Sequence, residues 1–303
     1  MKVDVTILTE AQYVQPEKTD WYIDQVLLED RLVMEALERK GLSVQKKDWA
    51  DPTMDWGQTK LAIFRTTWDY FHRFPEFKQW IDSAGQQTTF VNTKEQILWN
   101  IDKHYMADLE KAGVRIVTSD FRQSKNAASY GSLVDWCSHV GGEQWVLKPT
   151  ISGAARHTYK LNASNIAEHE TIYRELLAQE DMMLQPFQYN IEKEGELSLM
   201  VMNGQYTHAI RKMAKVGDFR VQDDFGGSVH HHQASAEEIA FAQAAVAACE
   251  LAPMYARVDM IKDNQGELAL GELELIEPEL WFREHPAAAD VLAEGVEQLL
   301  GKL

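Results

Sequence analysis

Cysteine is nearly absent from the chain. Only Cys137 and Cys249 occur, far apart and with no CxxC spacing, which excludes a disulfide framework and a zinc knuckle. Cations are scarce beside acids: 30 Lys and Arg face 47 Asp and Glu, a net charge of −17 that repels nucleic acid and anionic membrane. No segment reaches the apolar length of a membrane span, and the opening "MKVDVTILTE" carries Asp4 and Glu10 where a secretory signal would be apolar. A reduced, cytoplasmic setting is expected. The chain also lacks internal repeats, low-complexity linkers and a GxxxxGK[ST] phosphate loop.

What is present is an ordinary globular composition, 45% hydrophobic and 25% charged, long enough for two or three subdomains. "VDVTILT" alternates as a strand, "LLEDRLVMEALERKG" has helical spacing and stops at Gly41, and "LSVQKKDW" and "LAIFRTTW" read as strands. With "EFKQWIDSA" as a helix and "TTFVN" as a strand, residues 1–92 form a small open α/β domain. Residues 93–188 begin with the helical "KEQILWNIDKHYMADLEKAG". "VRIVTSDF", "WVLKP", "RHTYKL" and "MMLQPF" then read as strands, with helices at "SLVDWCSHVG" and "NIAEHETIYRELLAQE". Residues 189–303 hold two hairpins, one turning on Asn203-Gly204 and one around Asp263 to Gly266, followed by an amphipathic terminal helix.

Three constellations can carry chemistry. In "YARVDMIKDNQGELALGELELIEP", Asp259 faces Glu272 and Glu274 across a hairpin, so three carboxylates converge within about 5 Å. Such a group repels itself unless a hard divalent cation neutralises it; the competing reading is a solvated acidic edge. In "WVLKPTISGAARHTYKL", Lys148 ends an apolar strand ahead of Ser152, Gly153 and Ala154, small residues that let backbone N–H groups approach a polyphosphate. Taken alone, this more often describes a solvated strand end. In "RKMAKVGDFRVQDDFGGS", Arg211, Lys212, Lys215 and Arg220 gather positive charge among glycines, either for phosphate or simply as a surface loop.

Two further stretches bear on substrate. "FRTTWDYFHRF" delivers Arg65 and Thr66 to the carboxyl end of a strand, where open α/β sheets place ligand contacts, and an arginine fork suits a carboxylate. Trp68, Tyr70 and Phe71 in the same stretch read as core. Glu277, Glu279 and Arg283 flank Pro278 and face substrate or water. "HHH" at 230–232 offers at most His230 and His232 to one ion, and a solvated strand end explains it better.

In this order the pieces resemble the ATP-grasp superfamily, in the branch of glutathione synthetase and the ligases that add glutamate to a ribosomal protein. "RKMAKVGDFRVQDDFGGS" is similar to that branch's basic loop, and "ELELIEP" to its metal strand E-x-N-x-x-x-P, with Glu274 where asparagine is usual. The resemblance covers about residues 93–303. It implies an α+β ATP-grasp part behind the α/β domain. Lys103 and Lys148 would be nucleotide-phosphate lysines, Ser152, Gly153 and Ala154 the phosphate loop, and Gln185, Pro186 and Phe187 the adenine hinge, with Glu196 just beyond it. Asp259, Glu272 and Glu274 would hold Mg2+, with Mn2+ as an alternative. Arg220 would stabilise the tetrahedral intermediate with Lys212 beside it, and Arg65, Thr66, Arg156 and Glu277 would meet substrate.

The activity expected from this resemblance is ATP-dependent ligation: a small carboxylate becomes an acyl phosphate, an amine attacks it, and ADP and phosphate leave. Two alternatives stand beside it, an intramolecular, ring-closing version of the same chemistry and a hydrolase using paired carboxylates without nucleotide. The expected partners are small carboxylates and amines, not nucleic acid or membrane, and a homodimer would be unsurprising.

Overall fold

A computed structural model describes residues 2–153, 155–215 and 227–303. The first sheet is parallel, with strands β1 (Val3–Thr9), β2 (Val44–Asp48), β3 (Thr59–Thr66) and β4 (Thr89–Val91) in the order β2-β1-β3-β4. β1 and β3 are almost wholly buried, as expected of central parallel strands covered on both faces. The helix Trp21–Arg39 connects β1 to β2; Asp20 caps it, accepting from Ile23 N at 2.8 Å.

The second sheet is antiparallel. Its strands are β5 (Asp120–Arg122), β6 (Gln144–Pro149), β7 (Tyr159–Asn162) and β8 (Met182–Pro186), in the order β5-β8-β6-β7. The third is antiparallel and five-stranded: β9 (Glu196–Met202), β10 (Gln205–Met213), β11 (Ser228–His232), β12 (Tyr255–Lys262) and β13 (Leu268–Glu274), in the order β11-β10-β9-β12-β13. β9 and β10 turn on Asn203 and Gly204, both at positive φ (50° and 75°), the geometry an Asn-Gly hairpin provides. The fold is thus mixed α/β, parallel first and antiparallel afterwards. Among the described residues no helix is long and apolar enough to cross a membrane.

One apolar core joins the first and third sheets. Val5, Ile7, Leu61 and Ile63 pack in one cluster with Met200, Tyr255, Leu280 and Leu292. Asn92, just after β4, stitches the junction: its amide donates to Tyr255 O (2.9 Å) and Leu275 O (2.8 Å), and its oxygen accepts from Met254 N (2.6 Å). The residues after β13 are therefore fixed from the first sheet as well as from their own.

Several stretches differ from their sequence pattern. The helical run after Thr93 is two helices, Lys94–Asn100 and Tyr105–Lys111, and at the break the Asn100 side-chain amide is anchored to the end of β13, donating to Leu273 O and accepting from Leu275 N (both 2.8 Å). Lys103 lies in the gap and donates its N–H to Thr150 O at 3.0 Å. "VRIVTSDF" forms a strand only at Asp120–Arg122; Ile116 makes a lone parallel bridge to Leu270. "NIAEHETIYRELLAQE" is helical only over Glu170–Leu177, since Asn165 instead caps a turn through Asn162 N (2.8 Å) and Lys160 O (3.1 Å).

Candidate active site

A cavity of about 410 Å³ opens where the three sheets meet. Its cationic wall comes from the gap between the two short helices and from β6. Lys103 donates to Ser152 O at 2.7 Å, and Lys148, placed by β6, projects into the same space. Burial lowers the Lys148 pKa below the usual lysine range, opposed by the charge of Glu272. Such a lysine gains most from an anion brought close to it. Ser152 and Gly153 continue this wall; a side chain at Gly153 would place its Cβ 2.7 Å from the Phe71 ring. At another side lie Gln185, Pro186 and Phe187 at the end of β8.

The acidic wall is β13. Asp259 and Glu272 are directly paired across β12 and β13, as alternation requires, and Arg257 is paired with Glu274. Glu272 and Glu274 line the cavity. Each has a cation of its own: Glu272 lies 3.2 Å from Lys103, and Glu274 is hydrogen-bonded by Arg257. Burial works against the charge of Glu272, but Lys103 and Lys148 outweigh it and hold its pKa below the usual glutamate range. For Glu274, burial outweighs the help of Arg257, and with the charges of Glu272 and Asp259 it pushes the pKa up to about 8.

Asp259, on the same sheet face, is not among the residues that line the cavity. It is buried, accepts from Ser198, from Arg257 Nη2 at 2.8 Å and from Lys212 at 3.3 Å, and these cations overcome burial to bring its pKa down to about 2. Lys212 in turn bonds to Glu196. The expected trio of carboxylates is thus split: two at the cavity and one behind them in a network of fixed charges. Among the described residues no cluster of three acidic, histidine or cysteine side chains is arranged to hold a metal ion.

The residues expected at substrate divide. Glu277 lines the cavity. Arg65 does not reach it: it is buried, donates to Pro278 O at 3.0 Å, stands 3.9 Å from Glu29 and packs 5.3 Å from the Phe282 ring centre. Its place is underneath the segment that follows β13. Thr66 is buried against Thr9, and Arg156 is taken up by Glu180 (3.0 Å) and Ile151 O (2.9 Å). Ala154 and Arg220 lie outside the described residues. The three histidines take separate partners, Ser228, Glu284 and Glu238 for His230, His231 and His232.

Sequence reasoning passed over Arg257 and the aromatic wall. Arg257 lines the cavity and joins Asp259 to Glu274; its position two residues before Asp259, on the same strand face, was the available signal. Tyr22, Trp68, Tyr70 and Phe71 line the cavity too, although "TTWDYF" read as core.

With this geometry in place, comparison with known proteins is informative. Residues 5–92 match the family described as "D-cycloserine synthetase DcsG, N-terminal domain", and residues 156–275 match the "RimK-like ATP-grasp domain". The cycloserine biosynthesis protein DcsG of Streptomyces lavendulae is 26% identical over 263 residues, covering 82% of this chain and 86% of that one. The crystal structure of D-cycloserine synthetase DcsG superposes with a TM-score of 0.82 at 24% identity, covering 98% of this chain and 99% of that chain. D-alanine–D-alanine ligase from Bacillus anthracis shares the fold at a TM-score of 0.65 and 13% identity, with 99% of each chain covered.

Proposed function

We propose that this chain, an ATP-grasp ligase with a RimK-like catalytic domain, converts a small carboxylate into an acyl phosphate at the expense of ATP and passes the acyl group to an amine. The observation that carries this reading is the convergence of Lys103 and Lys148, from separate elements, on one cavity with Glu272 and Glu274. Two lysines and two carboxylates lining one cavity form a site that polyphosphate and a divalent cation can enter together. Few other groups are required, because phosphoryl transfer rests on positioning and electrostatics.

In this reading Lys103, Lys148 and the Ser152–Gly153 backbone, with Ala154, take the phosphates, and Gln185 to Phe187 hold the base. Glu196 anchors Lys212 behind them. The donor chemistry fits Mg2+: Glu272 and Glu274 are hard oxygen ligands, and Mg2+ commonly uses one or two carboxylates with phosphate oxygens and water. Asp259 joins that set only on release from Arg257 and Lys212. When bound, the ion would neutralise phosphate charge during transfer. Arg220 would stabilise the negative charge of the tetrahedral intermediate, with Arg257 at the cavity and Lys212 behind it adding positive charge, and Arg65 acts on substrate indirectly, by holding Pro278.

A ring-closing reaction within one molecule is the second reading. The match of residues 5–92 to the N-terminal domain of D-cycloserine synthetase supports it, since that protein's named product is cyclic. The paired-acid hydrolase is set aside: each of the three carboxylates is tied to a cation. The test is release of ADP and phosphate from Mg-ATP with a panel of amino acids, peptides and hydroxamate-type amines, followed by the mass of the product. A product joining two panel members supports ligation between molecules, and loss of one water from a single member supports ring closure. Mg-ATP binding with no carboxylate-stimulated ADP release would overturn both.

A further inference from the structure

Of the acidic side chains at the cavity, four are engaged by cations: Glu196 by Lys212, Glu272 by Lys103, Glu274 by Arg257 and Glu279 by Arg283. Glu277 is not; among the described residues it forms no ion pair. The Tyr70 hydroxyl donates toward its carboxylate, and Trp68 Nε1 fixes its backbone by donating to Glu277 O at 3.0 Å. Trp68, Tyr22 and Phe71 line the same cavity, with Tyr22 and Trp68 ring centres 6.4 Å apart.

We propose that Glu277, oriented by Tyr70, is the proton acceptor for the attacking amine. This rests on the acyl-phosphate reading above. An amine reaches the cavity as an ammonium ion, and that form is attracted to a carboxylate without an ion-pair partner in a cavity that aromatic side chains also line. It cannot attack until it loses a proton. Glu277 takes one, leaving a neutral amine and a carboxylic acid that donates nothing to a cation it would otherwise have to leave. The amine nitrogen then bonds to the acyl carbon while the carbon–oxygen bond to phosphate breaks; the second proton goes to the departing phosphate, and an amide and hydrogen phosphate remain. The other acids at the cavity are poor candidates: protonating Glu196, Glu272 or Glu279 strands the lysine or arginine it neutralises, and Glu274, pushed up to about 8, already holds its proton near neutral pH. Burial supports the role by pushing Glu277 up to about 7, opposed by the Tyr70 hydrogen bond and by the Lys103 charge.

Hydroxylamine separates the two halves of the reaction, because it is already neutral near neutral pH and traps an acyl phosphate without a base. Mg-ATP is supplied with each proteinogenic amino acid in both configurations, as carboxylate and as amine, and hydroxamate and amide are measured in parallel. In Glu277→Gln the ratio of amide to hydroxamate should fall about 10²-fold, the range of a positioned general base. Tyr70→Phe should lower it less, and Glu277→Asp, with the same acid on a shorter stem, should restore part of it if Glu277→Gln folds poorly. An unchanged ratio in Glu277→Gln, or equal losses of hydroxamate and amide, would overturn the assignment while leaving the acyl phosphate intact. Absence of both hydroxamate and ADP in the unmodified protein would overturn the ligase reading, and this inference with it.

Discussion

Lys103 Nζ stands 3.2 Å from Glu272 Oε1 and donates to Ser152 O at 2.7 Å, so one ammonium group joins the break between two helices, the small-residue loop and the acidic strand β13. The lysine is nearly withdrawn from water and the glutamate is half-buried, with 10% and 34% of their side chains exposed. In the reading proposed above their pairing is a resting contact between the groups that would take phosphate and those that would take the metal: a polyphosphate would compete for the lysine and a cation for the glutamate, so both ligands would part the pair.

It follows that Glu272→Gln should release Lys103 and weaken the metal at the same time. Nucleotide without metal should bind as well as before or better, whereas turnover at millimolar Mg2+ should drop by at least about 10²-fold, the size of effect seen when one preorganised electrostatic group is lost. Calorimetry with ATP, with and without Mg2+, and an ADP-release assay give both numbers. Full activity of the variant at ordinary Mg2+ would remove Glu272 from the metal site.

Arg257 neutralises Asp259 and Glu274 together, and this coupling can be measured. Arg257→Met leaves the buried Asp259 with Lys212 alone and the half-buried Glu274 with no cation, and should cost about 3 kcal/mol of stability, because losing one partner of a buried ion pair is the expensive case. Glu274→Gln alone keeps Arg257 on Asp259 and should cost less. Combined, the two changes should be less destabilising than their sum by about 1–3 kcal/mol, read from urea midpoints of all four proteins. Additive losses would mean that the contact contributes nothing specific, and that Glu274 is free to serve the metal without cost.

The fold was legible where a pattern repeats and the site where charge is placed against it. β1, β3, β12 and β13 alternate or run apolar, Asn203-Gly204 announces its hairpin, and the Asp259–Glu272 register follows from the turn between their strands. Local spacing says nothing about where a side chain finds its long-range partner. The helix ending at Asn100 stops although its periodicity is sound, and there the Asn100 amide reaches Leu273 and Leu275, more than 170 positions away. Arg65 fits a carboxylate anchor until Pro278 O and Glu29 are seen to occupy it. Asp259 likewise reads as a ligand until Arg257, on its own strand, proves to hold it.

The loop at Gly153 has a steric partner. An added Cβ would lie 2.7 and 2.8 Å from Phe71 Cε1 and Cδ1, closer than such atoms pack. Gly153→Ala must therefore push either the phosphate loop or the aromatic wall, at a cost of about 1–3 kcal/mol. If the loop yields, the Michaelis constant for ATP should rise about tenfold. Adding Phe71→Leu should recover most of the loss by giving the methyl group room. A double variant no better than Gly153→Ala would show that the two residues do not meet in the working enzyme.

His208 makes stability depend on pH in a predictable direction. On β10 it is 8% exposed, its Nε2 is 2.9 Å from Leu280 O, which can only accept, and its Nδ1 is 2.9 Å from Thr207 Oγ1. The ring is therefore held neutral, with the proton on Nε2. Burial pulls its pKa down to about 4, and the nearby His285, whose ring centre is 5.2 Å away, opposes a positive charge as well. The unfolded chain takes up this proton below the ordinary value of about 6.5, whereas the folded chain does not until about 4. Stability contributed by the neutral ring is thus complete above pH 6.5 or so and declines as pH falls toward 4, by up to about 3 kcal/mol. Urea unfolding at pH 7.5 and 5 should show the loss, and His208→Gln, which keeps a donor for Leu280 O, should flatten it. A variant that lost as much stability between those pH values as the unmodified chain would assign the effect to other groups.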